Sequence, residues 1–139
     1  MPLRSRSKTR TFRIGDKPKR GEGLRVGTTR YPPRGVPRNR WKTGHYFDVW
    51  FPVVAPGEKL LRSIKRTGID EPKIRKRFFD AYRRELRKPP ASHGVRLLSA
   101  VASIMPIAVG CYCADETRCH RSVLAAEISK SPITKSPNH

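Results

Sequence analysis

The stretch PIAVGCYC, residues 106–113, carries no charge in a chain otherwise dense with arginine and lysine. A helical pattern precedes it in SHGVRLLSAVASIM and another follows in CHRSVLAAEIS. An apolar run this short, bounded by helices, reads as a strand buried on both faces. Such strands belong to parallel sheets, whose neighbouring strands are joined by crossovers rather than hairpins. The segment therefore commits the chain to a sheet with this strand inside it.

The remaining elements fit around that strand. TFRIGD (residues 11–16) and GLRVGTTRY (23–31) read as early strands, with Leu24 and Val26 on one face and Arg25 on the other. Pro32 and Pro33 end the second, because proline cannot donate to a ladder. PPRGVPRNRWKTGHY is a long irregular loop with four basic residues and no acid, and YFDVWFPVV reads as extended and buried. APGEKLLRSIKR is a helix opened by Pro56 and Glu58 and closed by basic residues and Gly68. EPKIRKRFFDAYRRELRK is a second helix, in which Ile74, Phe78 and Tyr82 form an apolar stripe widened by Phe79 and Leu86. Ser92 is placed to cap a third, with Val95, Leu98, Val101, Ala102 and Met105 on one face. Strands first, then three helices, a strand and a helix predict one small α/β domain: three layers, with a mostly parallel sheet flanked by helices. At 139 residues there is enough chain for one modest core. The reading divides it into a basic arm (1–10), the α/β domain (11–128) and a polar tail (129–139).

The formal net charge is +20. Such an imbalance repels itself in a compact state and attracts polyanions, so nucleic acid or another polyanion is the expected partner. No run is apolar and long enough to span a bilayer. The start, MPLRSRSKTR, lacks the apolar core of a secretory signal. Three cysteines, an odd number bunched within nine positions, argue for a reducing compartment, so a cytoplasmic protein is expected.

Three stretches together, RYPPRGVPRNRW, FDVWFPVVAPGEKLL and VGCYCADETRCHRSVL, with FFDAYRREL between them, resemble the domain of unknown function 488 family in its short YeaO-like branch. The resemblance spans roughly residues 11–128. It implies a compact α/β fold and a small cytoplasmic prokaryotic or archaeal protein, and it names no activity.

The densest chemistry lies in GCYCADETRCHRS, residues 110–122. Binding sites of parallel sheets lie at the carboxyl ends of strands, which is where Cys113 falls. Four readings follow. Cys111, Cys113, Cys119 and His120 are the right donors for zinc or iron, with His45 or His93 as outside candidates. Against that, residues two apart in a strand lie about 7 Å from one another, which separates Cys111 from Cys113. Alternatively, Cys113 is a nucleophile in an enzyme acting on a phosphorylated or nucleotide substrate, helped by Arg118, His120 and Arg121. In that case Asp115 and Glu116 sit where a phosphate would approach. Thirdly, Arg118, His120 and Arg121 join Arg30, Arg34, Arg38 and Arg40 in a polyanion-contacting patch, with Tyr31 and Trp41 placed to stack on bases. Both rings have a competing role in the core. Lastly, the cysteines are small buried apolar residues, Asp115 caps the last helix, and Arg118 pairs with Asp115 or Glu116.

Overall fold

The computed structural model describes residues 9–130; residues 1–8 of the expected arm and 131–139 of the expected tail lie outside the described residues. Among the described residues, four strands, β1 (Arg10–Arg13), β2 (Leu24–Gly27), β3 (Val49–Trp50) and β4 (Ile107–Cys111), form one sheet in the order β1-β4-β2-β3. Every pairing is parallel. Four helices accompany them: α1 (Glu58–Thr67), α2 (Pro72–Leu86), α3 (Ala91–Ala102) and α4 (His120–Lys130). The chain is thus a small α/β domain, and the apolar run that anchored the sequence reading is its inner strand, buried at all five positions.

Alternation along the strands sorts the two faces. Val26, Ile107 and Val109 pack with residues of the helices, among them Tyr82, Leu98 and Leu124, in the main core. The opposite face carries Phe12 and Ala108, covered by Phe47 with Trp41, Tyr46 and Trp50 against them. That covering layer is irregular chain, not helix. It comes from the proline-rich loop after β2, and its rings meet edge to face, with Trp41 and Phe47 centroids 4.9 Å apart.

Two glycines admit this layer. A Cβ on Gly110 of β4 would lie 2.2 Å from the Phe12 ring, and one on Gly27 of β2 would lie 2.2 Å from the Phe47 ring. The rings rest directly on backbone. Arg25 is buried on the same face, its guanidinium 4.1 Å from the centroid of Phe12 and 2.6 Å from Glu22 Oε1. A buried charge needs such partners.

On the helical side, the α2 stripe behaves as its spacing predicts, with Phe78, Tyr82 and Leu86 buried. Glu71 accepts from Lys73 N and Ile74 N and caps α2. Glu85 reaches beyond its own helix: its Oε1 accepts from Gly57 N at 2.9 Å, tying α2 to the start of α1. Ser92 is not the cap of α3. The helix begins one residue earlier, at Ala91, after Pro90 has already turned into helical geometry, and Ser92 N donates to Lys88 O. Met105 falls beyond the end of α3 and is exposed. The strand read over residues 46–54 shrinks to two residues because the chain tightens into a 3-10 turn at Pro52–Val54.

The ring-on-glycine contact yields a direct expectation. Gly110→Ala destabilises the domain by about 1–3 kcal/mol through overpacking, and Phe12→Leu in the same chain recovers part of the loss. Urea unfolding measures both. A Gly110→Ala change below about 0.5 kcal/mol would show that Phe12 yields freely.

Candidate functional site

Strand β4 ends at Cys111, and β2 ends at Gly27 beside it. From there the two loops part. The chain after β2 runs outward through Thr28–Arg34 toward β3, while the chain after β4 returns through α4, which packs on β4 and β1. Divergence of this kind leaves a crevice at the carboxyl ends of the strands. The crevice is a cavity of about 520 Å³, within the range of small-ligand sites.

Its floor is the cysteine cluster. The backbone leaves strand geometry at Tyr112, so Cys113 does not continue the ladder. The two sulfurs expected about 7 Å apart instead approach to 3.9 Å. Cys119, extended and buried, precedes α4, and its Sγ lies 3.8 Å from His120 Nδ1. A donor atom from each of Cys111, Cys119 and His120 lies within 4.8 Å of the others. No disulfide joins the three cysteines.

His120 is fixed by Thr28, the residue just after β2. Its Nε2 donates to Thr28 O at 3.0 Å. A carbonyl only accepts, so Nε2 carries the proton and Nδ1 turns a lone pair toward the sulfurs. The Tyr82 ring meets the imidazole edge-on at 5.5 Å. Burial lowers the His120 pKa to about 4, so the ring is neutral at neutral pH.

The three thiols differ. Cys113 is exposed at the cavity wall and is held well below the usual thiol range. The main cause is donation to its sulfur from the Cys111 thiol and then the Cys119 thiol, with the Arg121 guanidinium adding to it. The Cys111 thiol is pushed up, first by its bond to Cys113. The Cys119 thiol is pushed up by its bonds to Cys111 and Cys113 and by burial.

The arginines divide into three groups. Arg118 lines the cavity, with Nη1 2.6 Å from Asp70 Oδ1 and Nε 3.5 Å from Asp115 Oδ2. Arg121 is buried and lies behind the cysteine turn, where its Nη1 donates to Cys113 O. Arg30 lines the cavity but its guanidinium holds the chain ahead of α1, donating to Pro56 O at 3.0 Å and Ala55 O at 2.7 Å. Arg34 and the exposed Tyr31 stand at the rim, Tyr31 donating to Glu58. Arg38 and Arg40 are exposed elsewhere, Arg38 5.6 Å from the Trp41 ring and Arg40 beside a separate small cavity. Trp41 belongs to the aromatic layer, with Nε1 donating to Val36 O. Its ring is committed to packing on the far side of the sheet.

Asp115 caps a 3-10 turn, Glu116–Arg118, by accepting from Thr117 N, and does not cap α4. The reason is Cys119: its extended backbone breaks the run between that turn and the helix. Glu116 is turned away from the cavity toward β1, where it accepts from Thr11 Oγ1. The acids that crowded the sequence motif are therefore tied to their own loop and to β1. His45 and His93 do not join the cluster: His45 lies in the loop layer, where its carbonyl accepts from Gly15 N and Arg25, and His93 is exposed on α3. Sequence reasoning missed Arg62 and Lys65 of α1, which line the same cavity as the cysteines. Their three-residue spacing puts them on one helix face, but only the packing of α1 shows which way that face points.

A family model described as the active DUF488-N3 subclade matches residues 9–131. The chain belongs to the domain of unknown function 488 family. The match covers every strand and helix described above, the cysteine turn included. No curated protein and no solved structure matches this DUF488 protein. Among its described residues, no helix is long and apolar enough to cross a membrane.

Exposure ranks the thiols of the folded DUF488 protein. Iodoacetamide modifies Cys113 first, and Cys111 and Cys119 react at comparable rates only after unfolding. Peptide mass spectrometry on a time course reads the order. Equal labelling of all three in the native protein would contradict the burial described for Cys111 and Cys119.

Proposed function

We propose that this protein is a thiol-dependent enzyme acting on a phosphate-bearing substrate of the nucleotide class, free or within a polynucleotide. One observation carries the reading: the exposed Cys113 thiol shares a ligand-sized cavity with Arg34, Arg62, Lys65 and Arg118. Arg34, Arg62 and Lys65 have no carboxylate partner among the described residues, so their charge is available to an anion. Arginine binds phosphate through two parallel hydrogen bonds and lysine as a point charge.

In this reading the basic side chains hold the phosphate and leave the rest of the substrate against the cysteine turn. The Cys113 sulfur supplies an electron pair to an electrophilic atom of the substrate, and the displaced group departs with its bonding pair. Water then releases the product and restores the thiol. Arg121 and the Thr28 carbonyl are positioning groups, the first holding the Cys113 backbone and the second holding His120.

A second reading, polyanion binding without catalysis, is favoured by the net charge of +20. It predicts an affinity for DNA or RNA that falls steeply with salt.

One experiment separates the two. Nucleoside monophosphates and short single-stranded oligonucleotides are added before iodoacetamide, and the rate of Cys113 modification is followed. An occupied cavity slows modification by about tenfold or more, and Arg34→Ala with Arg118→Ala removes most of that protection. An oligonucleotide that binds in a salt-dependent way without protecting Cys113 supports the polyanion reading and sinks the enzyme. No binding and no protection by any probe sinks both.

A further inference from the structure

We infer that Cys111, Cys119 and His120 form a site for a thiophilic divalent ion of the zinc class, with Cys113, whose sulfur stands beside that of Cys111, as its fourth donor. The inference rests on the same sulfur cluster as the proposed thiol chemistry. It gives that chemistry a specific form, in which Cys113 is a metal-bound thiolate facing the cavity.

Two donor separations match the edges of a tetrahedral zinc site. Zinc–sulfur bonds of about 2.3 Å place two sulfur ligands about 3.8 Å apart along a tetrahedral edge. The Cys111 and Cys113 sulfurs are 3.9 Å apart. A sulfur and an imidazole nitrogen on zinc are separated by about 3.5 Å on the same basis, and Cys119 Sγ lies 3.8 Å from His120 Nδ1. The bend at Tyr112 makes this possible by folding Cys113 back beside Cys111.

The surroundings fit as well. A metal-bound histidine characteristically donates its second ring N–H to a carbonyl or carboxylate, which fixes the ring and its tautomer. His120 does this through Nε2 to Thr28 O, with the free nitrogen turned to the sulfurs. Three thiolates and a neutral imidazole around a divalent ion leave a net charge of −1. Arg121, buried at 4% exposure with its guanidinium on the Cys113 carbonyl, stands where it offsets that charge. Three sulfurs and an imidazole select zinc or ferrous iron over the harder calcium and magnesium, which prefer oxygen.

The test uses the full-length protein. Elemental analysis after purification without chelator is followed by removal of metal and titration with cobalt(II). The expected result is stoichiometric zinc or iron and, with cobalt, the intense visible bands of a tetrahedral thiolate site plus a sulfur-to-cobalt charge-transfer band. Cys119→Ser removes the bands and Cys113→Ser weakens and shifts them, with circular dichroism reporting whether each variant is folded. In the unaltered protein, chelation speeds alkylation of Cys111 and Cys119. No metal, no cobalt bands and alkylation rates indifferent to chelator would overturn the inference. A protein that fails this test yet shows nucleotide protection of Cys113 keeps the proposed function and loses the metal. One that binds cobalt but gives no protection does the reverse.

Discussion

Strand β4 can present sulfur at its tip only because it is held in register from both sides. Ala108, Val109 and Gly110 pair with β1 on one edge and with β2 on the other. A parallel strand bonded on both edges has no freedom to slip, since a one-residue shift would turn Ile107 and Val109 away from the helices. The same ladder sets the end of β2, where Thr28 N and Oγ1 both donate to Gly110 O. That pair of hydrogen bonds to the end of β4 aims the Thr28 carbonyl at His120. The position of the imidazole is therefore a consequence of sheet register, transmitted through one residue.

The layer opposite the helices explains how so short a chain covers both faces of its sheet. A further helix would need a crossover that the sequence does not contain between β1 and β2. Glycines at residues 27 and 110 bring Phe47 and Phe12 down onto the backbone instead, and Trp41, Tyr46 and Trp50 close over them. Burial of aromatic area replaces a helix at the cost of a tight fit. This is also where Arg25 becomes tolerable, since an aromatic face and Glu22 both meet its guanidinium.

What the sequence made legible follows the range over which each signal acts. The buried strand follows from one short apolar run and the α2 stripe from periodicity within its own segment, and both fold as those local signals require. The location of the cavity was legible too, because a strand end followed by a helix is a local pattern with a global meaning. The convergence of the sulfurs was not. It depends on a single bend at Tyr112, and strand geometry extrapolated through that bend separates Cys111 from Cys113. Trp41 was open to two roles because a tryptophan in a basic loop has the same sequence context whether it packs inward or faces solvent. The third helix misled in a smaller way: Ser92 has the chemistry of a cap, but Pro90 had already entered helical geometry ahead of it.

The acids in the cysteine motif complete the physical account. Asp115 and Glu116 argue against an anion only if they face the cavity. Asp115 is occupied by Thr117 and Arg118, and Glu116 by Thr11 across the top of β1. Their effect is to pin the 3-10 turn between β4 and α4, so that Cys119 enters the helix from an extended backbone with its sulfur turned inward. Neither carboxylate lines the cavity; Arg118, paired with Asp70 and Asp115, lines it together with Glu58 and with Arg34, Arg62 and Lys65, which have no carboxylate partner among the described residues. A motif that reads as electrostatically mixed along the chain is thus partly sorted in space: Asp115 and Glu116 are tied to their own turn and to β1, Arg118 faces the cavity, and the buried sulfurs of Cys111 and Cys119 sit with a neutral imidazole beneath it.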